Sequence, residues 1–399
     1  VIVDHLNKLR AWLFEDALPL WLKAGEDAAN GGFAETITLD CEGSADNRRG
    51  RVNPRMVFVY CEAGRLGWDG PWMDVALRTQ AYVERVYGTA DGYIGALATP
   101  NGELLDTSFD LYNQAFALLA LSSIADVNSE QRKEACAKAG ALLDVLKNRF
   151  KHPVAGFQET EPARAPLGAN PHMHLFEMCL EWERSENLST EQKAVWSALA
   201  DELGELCLKH FICEKTGGLR EFFALDWSPM PGDEGRALEP GHHFEWAWLL
   251  SRWNKLRGDE RAKAAAARLF EIAEVYGVDR ERGVAVMGIN DDFSMRDPLA
   301  RLWSQAEWLK GSIAMLESTP ESEWPRYRQS MQDALKALEL FFEDVPAGLW
   351  KDKFLPDGSF VKEAAPASSL YHIISAISEL DRFSKTEVGQ KVVACESTK

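Results

Sequence analysis

The chain has 399 residues, of which 46% are apolar and 27% charged, and its formal net charge is −18. This composition supplies a large core, and its acidity excludes nucleic acid and anionic membranes as main partners, since both are bound through basic patches. The longest apolar run, about a dozen residues around "FALLALSSIA", is too short to span a bilayer, which takes about 20.

The opening stretch, "VIVDHLNKLRAWLFEDALPLWL", has helical spacing with acids inside it, unlike a signal peptide. After it, loops of one kind recur. They are "NGGFAETITLDCEG", "DGYIGALATPNGE", "AGFQETEPARAP", "GGLREFFALDWSP", "RGVAVMGINDDFS" and "AGLWKDKFLPDGS". Their marker glycines, Gly32, Gly92, Gly156, Gly218, Gly283 and Gly348, are spaced by 60, 64, 62, 65 and 65 residues. Between the loops, stretches such as "WMDVALRTQAYVERVYG" and "EACAKAGALLDVLKNRF" carry apolar residues at i, i+3, i+4 and i+7. Each unit reads as loop, helix, turn, helix, with short alternating stretches that suit small hairpins. No Pro/Ser-rich linker divides the chain. Six helix pairs predict an all-α fold: one (α/α)6 barrel over residues 1–399, with short hairpins in the loops at its mouth.

The unusual polar residues share a phase in this repeat. Arg55 lies 23 residues after Gly32, Tyr112 lies 20 after Gly92 with Asn113 and Gln114 beside it, and His174 lies 18 after Gly156. His242 follows Gly218 by 24, Trp303 and Glu307 follow Gly283 by 20 and 24, and His372 follows Gly348 by 24. In a closed ring one phase is one end of the inner helices, so these groups converge on a single mouth. Shared packing positions alone would repeat apolar residues there.

Within the clusters, helix geometry chooses among neighbours. In "EPGHHFEW", Pro240 and Gly241 mark a break, and His242 and Glu245 stand at i and i+3 on one face, while His243 points elsewhere as a packing residue. In "GANPHMHLFEMCLEW", Asn170 and Pro171 open a helix, His174 and Glu177 are i and i+3, and His172 faces another way. His372 comes early in the apolar "PASSLYHIISAI". In "EFFALDWSPMPGDEGRALEP", Asp226 and Trp227 are candidates for hydroxyl binding and ring stacking. Asp106 and Asp110 suit either a helix cap or sugar contact.

No nucleotide-binding glycine loop, nucleophile elbow, H-E-x-x-H or cysteine cage is present, so no metal and no cofactor is expected. Seven cysteines without a C-x-x-C pair predict reduced thiols in a cytoplasmic protein. A glycoside hydrolase would need two carboxylates, for which Glu245 with Glu307, or Asp226 or Glu221, are candidates.

Six segments in order, "NPRMVFVY", "FDLYNQAFALLAL", "NPHMHLFE", "EPGHHFEWAWLL", "LWSQAEWL" and "SSLYHIISAI", resemble the N-acylglucosamine 2-epimerase superfamily across essentially the whole chain. The resemblance implies an (α/α)6 barrel and metal-free proton transfer at C2 of an aldose through a cis-enediol(ate). By resemblance His242 and His372 are the acid/base pair and Arg55 steadies the enediolate oxygen. His174, Glu245 and Glu307 form a supporting ring, and Trp303, Tyr112, Asn113, Asn170, Asp226 and Trp227 complete the substrate contacts. The chemistry agrees from below: a C2–H beside a carbonyl needs a base that titrates near neutrality, and the developing oxyanion needs a fixed donor fork. The expected reaction is mannose–fructose type isomerisation of a monosaccharide, with 2-epimerisation or glycoside hydrolysis as alternatives, by a monomer or homodimer.

Overall fold

Helices buried on every side alternate along this chain with helices buried on one. The computed structural model describes residues 2–394, so Cys395 lies outside the described residues. Helix α1 runs Ile2–Ala11 and continues through Trp12–Ala17, Leu18–Leu20 and Trp21–Gly25 in alternating π and α turns. The remaining helices are α2 (Val52–Arg65), α3 (Trp72–Tyr87), α4 (Leu111–Val127), α5 (Arg132–Arg149), α6 (Ala169–Arg184), α7 (Thr190–Leu206), α8 (Pro240–Arg257), α9 (Glu260–Tyr276), α10 (Leu302–Ser318), α11 (Trp324–Leu340), α12 (Ala367–Ser384) and the short α13 (Glu387–Ala394).

The even-numbered helices α2 to α12 pack side by side in chain order, and α12 returns to α2. The ring of six is therefore closed, and α3, α5, α7, α9, α11 and α1 pack outside it, each against its own partner. The sequence difference between the layers is direct. On outer helix α5 the buried residues are Ala135, Ala139, Leu142, Leu143 and Leu146, a single stripe at helical spacing. On inner helix α4 nearly every residue from Leu111 to Ala125 is buried, including Gln114, Ser122 and Ser123, because both the axis and the outer layer are dry.

The loops join neighbouring units. Arg48–Arg49 pairs with Leu97–Ala98, Leu167–Gly168 with Phe222–Phe223, Ala237–Leu238 with Ile289–Asn290, and Ala300–Arg301 with Lys353–Phe354. Ala365–Pro366, ahead of the last inner helix, pairs back with Thr36–Ile37 of the first loop, so the ladder closes as the helices do. The expected hairpins are present as well, as at Leu97–Ala98 with Leu104–Asp106.

Each marker loop makes a tight turn. At Gly32, Gly92, Gly156, Gly283 and Gly348 φ is positive; in the fourth unit the positive φ falls on Gly217, one residue before the expected Gly218. Gly156 has no room for a side chain, because a Cβ there would stand 2.7 Å from Nε2 of His172.

The far end of the barrel is laced by ion pairs. Arg65 meets Asp126, Arg252 meets Glu181, and Lys255 and Arg382 share Glu317. A cavity of about 530 Å³ opens there, lined by these paired groups. Where such pairs face solvent, as at Lys255 and Arg382, they contribute about 0–1 kcal/mol each, whereas each fully buried Leu, Phe or Met contributes about 1.5–3 kcal/mol. Apolar packing closes the ring, and the ion pairs trim its end. Among the described residues no helix is long and apolar enough to cross a membrane, and the six described cysteines are free.

Candidate active site

A repeated clamp builds the other end. In five of the six units the backbone N–H just past the glycine turn is held by a side chain near the start of the following inner helix. Phe33 N donates to Asn53 Oδ1 (2.7 Å), Ile94 N to Gln114 Oε1 (3.0 Å) and Phe157 N to His172 Nε2 (3.1 Å). Leu219 N donates to His243 Nε2 (3.0 Å) and Ala285 N to Gln305 Oε1 (2.8 Å). His172 and His243 are thus structural, and burial pushes each imidazole down to about 4. His243→Leu leaves the buried Leu219 N–H without its acceptor, a loss of about 1–3 kcal/mol. Thermal unfolding is expected at lower temperature, with turnover per folded molecule retained.

Two residues beyond each clamp lie Arg55, Phe116, His174, Glu245 and Glu307, and the sixth helix adds Tyr371. These six meet at the barrel axis. The Arg55 guanidinium lies 4.0 Å from the Phe116 ring centre and 5.1 Å from that of Tyr371, and His174 Nδ1 is 3.8 Å from Glu245 Oε1. Arg55 also donates to the Tyr112 hydroxyl (2.6 Å) and to the Ser368 carbonyl (3.2 Å), which fixes its fork.

Three histidines share one arrangement. Nδ1 of His174 bonds Glu177 (3.0 Å), Nδ1 of His242 bonds Glu221 (2.8 Å), and Nδ1 of His372 bonds Glu307 (2.7 Å). An ionised carboxylate only accepts, so Nδ1 carries the proton, and a neutral ring keeps its lone pair on Nε2. Trp303 lies against two of them, its ring centre 5.1 Å from that of His242 and 5.7 Å from that of His372.

Their electrostatics diverge. Burial opposes charge on His242, but Glu221 and Glu239 outweigh it and hold this imidazole well above its ordinary value. Burial pushes His372 well below that value, and the nearby Arg55 and Lys310 charges push the same way. Burial likewise takes His174 down to about 4. These directions favour charge on His242 and a neutral ring at His372. Environments that drive two titratable groups apart mark an acid and a base.

Beneath the histidines sit three buried carboxylates. Burial works against ionisation of Glu177, but hydrogen bonds from His174 and Tyr371 and the charge of Lys310 bring it down to about 2. Neither oxygen of Glu245 has a hydrogen-bond partner, and burial next to Glu307 pushes it far above the usual carboxylate range. Oxygen or nitrogen atoms of Glu245, Glu307 and His372 gather within 4.8 Å, as do those of His174, Glu177 and Glu245, and those of Glu221, Glu239 and His242. Such sets could share a cation; among the buried carboxylates that cation is the Lys310 ammonium, 2.8 Å from Glu307.

The structure brings His242, His372, Arg55, His174, Trp303 and Tyr112 together, with Asn113 and Asn170 at the starts of α4 and α6. It revises several expectations. Glu245 does not orient His242; Glu221, reaching over from the loop, does, because the start of α8 aims His242 outward toward that loop. Glu245 and Glu307 are wholly buried and back the histidines instead of meeting substrate. Asn113 is also fully buried, against Arg51. Trp227 is packed with His152, His172 and Phe211, and its indole N–H donates to Ala155 O (3.0 Å), so it offers no stacking face. Asp226 is exposed and closes its own turn on Ser228. Asp110 caps α4 through Tyr112 N, the blander of its two readings.

Neither periodicity nor motif singles out Lys310, Glu239 or Tyr371, and Glu221 stands in the sequence only as a candidate for hydrolysis. Glu221 had a signal. An acid follows the marker glycine by three or four residues in four units, as Glu35, Glu159, Glu221 and Asp352. In each, the backbone carbonyl of that acid accepts from the start of an inner helix in the preceding unit.

A family model for N-acylglucosamine 2-epimerase matches residues 31–376. The chain belongs to the N-acylglucosamine 2-epimerase family. It is 50% identical over 379 residues to a protein of Rhizobium meliloti named mannose-6-phosphate isomerase, covering 94% of this chain and 97% of that one. It is 22% identical over 346 residues to D-mannose isomerase of Marinomonas mediterranea, covering 82% of each. Its fold matches the structure of cellobiose 2-epimerase from Bacillus thermoamylovorans with a TM-score of 0.82 at 18% identity, over 94% of this chain and 99% of that one. The (α/α)6 barrel and the class of enzyme, sugar isomerase or 2-epimerase, follow for this family member.

Proposed function

We propose that this family member is an aldose–ketose isomerase of mannose-type monosaccharides, moving a proton between C2 and C1 through a cis-enediolate. The observation that carries the reading is the opposite tuning of His242 and His372, which both lie against Trp303. Neutral His372 takes the C2 proton on Nε2 and returns it to C1. His242, charged, donates to the ring oxygen as the pyranose opens and regains a proton from the O1 hydroxyl; it then protonates O1 as the enediol forms and takes the O2 proton as the enediol collapses to the ketose. The Arg55 fork stabilises charge on O1 and O2 as it forms, in a dry site where such donors are strongest. Positive charge comes from Arg55, His242 and Lys310, so the chemistry needs no metal. In this reading the whole chain works as one domain in the cytoplasm, as a monomer or homodimer, without cofactor or nucleic acid.

A 2-epimerase remains the second reading, favoured by one feature: two imidazoles, His242 and His372, reach the same site beside Trp303, so a second base is available to C2. Hydrolysis is disfavoured because Glu245 and Glu307, its best carboxylate pair, are sealed from the mouth. The test is product identity. The enzyme is incubated with D-mannose and, because of the Rhizobium relative's name, with D-mannose 6-phosphate, and the sugars are separated by chromatography. Fructose or its 6-phosphate is expected as the main product. Glucose or its phosphate in its place supports the epimerase.

A further inference from the structure

Lys310 sits on α10 one turn from Glu307, with no exposed surface. An ammonium so deep costs several kcal/mol to desolvate unless it is paired. Its ion-pair partner is Glu307 at 2.8 Å, and its Nζ lies 3.9 Å from the centre of the Trp248 ring on α8, a cation–π contact. The charged and titratable groups around it come from every neighbouring side: Glu245 from α8, Glu177 and His174 from α6, Tyr371 and His372 from α12, and Arg55 from α2.

One ammonium faces three carboxylates, and the hydrogen bonds decide where its charge counts. Glu177 is already satisfied by His174 and Tyr371. Glu245 has no hydrogen-bond partner on either oxygen, and burial beside Glu307 pushes it far above the usual carboxylate range. Glu307 is the one that both touches Lys310 and holds a histidine at the mouth.

We propose that Lys310 is a positioning residue for His372: its ammonium keeps Glu307 ionised, and Glu307 then holds the Nδ1 proton of His372 so that Nε2 presents the lone pair to substrate. Without the ammonium, Glu245 and Glu307 share a dry site with no cation, and Glu307 takes up a proton. A protonated Glu307 donates to Nδ1 instead of accepting from it. The imidazole proton then moves to Nε2, and the base is lost although every side chain remains. The inference rests on the proton-transfer reading above.

The experiment compares wild type with Lys310→Met and Lys310→Arg, measuring kcat and KM for D-mannose from pH 5 to 9. Lys310→Met is expected to lose kcat by on the order of 10²-fold, the scale of a mispositioned base, with KM changed less than about threefold. Its acid limb should move up by about one pH unit or more as Glu307 protonates more readily. Lys310→Arg should recover much of the loss, since it keeps the charge. Wild-type kcat and limb in Lys310→Met, or a loss confined to KM, overturns the proposal. Should Lys310→Met fail to fold, ¹⁵N NMR of wild-type His372 decides it. A protonated Nδ1 and bare Nε2 at neutral pH are expected, and the opposite tautomer overturns it. Absence of any C2-proton exchange in the wild type counts against the isomerase reading, while the tautomer still tests the Lys310–Glu307–His372 arrangement.

Discussion

Asparagine in place of His372 is expected to lower kcat on D-mannose by on the order of 10³-fold, the range a general base supplies, with thermal unfolding little changed. The side-chain amide of asparagine can still donate to Glu307, so the buried carboxylate keeps a partner and the ion pair with Lys310 persists. What disappears is the neutral nitrogen lone pair beside Trp303, whose surroundings disfavour its charge. Burial, Arg55 and Lys310 all push His372 down, which keeps it free to accept a proton at neutral pH. Steady-state kinetics with circular dichroism as a folding control checks this. Near-normal kcat in a folded variant removes His372 from the chemistry.

His242→Asn is expected to cost a similar factor, on the order of 10²–10³-fold, and the pH profile of the wild type should show why. His372 is active when neutral, so activity falls as pH drops through its lowered value. His242 is active when charged, so activity falls as pH rises through its raised value. The sign of each shift widens the plateau: the acid limb lies below the ordinary imidazole range near 6.5, and the alkaline limb above it. In His242→Asn the residual activity should keep the acid limb and lose the alkaline one. Loss of the acid limb instead would exchange the two assignments. Glu221 and Glu239, which lie 2.8 and 3.5 Å from His242 Nδ1, set the raised limb, and burial pushes Glu239 itself up to about 7.

The ring of helix pairs was legible because each unit spends the same length on the same job. A glycine turn needs a positive φ, and that requirement writes a period into the chain. The mouth was legible for a related reason: the axis positions of Arg55, His174 and Glu307 lie two residues past their clamps, and they fall 23, 18 and 24 residues after their marker glycines, in one band with His242 and His372. Choosing His242 over His243 worked because adjacent residues on a helix face about 100° apart and only one can hold the loop backbone. The same helical reasoning failed for the orienting carboxylate. An i, i+3 glutamate on a helix reaches its histidine only if both side chains lean the same way. His242, in the first turn of α8, leans out to the loop acid Glu221, while Glu245 turns to the axis. Trp227 misled for another reason: a tryptophan in a loop beside a site packs either outward or under the loop, and nothing in its neighbours distinguishes the two. Lys310 was hidden inside a helix that reads as core, since a lone lysine on "LWSQAEWLKGSIAML" looks like a solvated face.

Proton NMR of the enzyme with D-mannose in D2O, followed over time, tests the proton-transfer account most directly. The account predicts D-fructose appearing with deuterium at C1, placed there by a base that exchanges its proton with solvent before returning it. Unlabelled mannose recovered unchanged, with neither ketose nor C2 exchange, contradicts it.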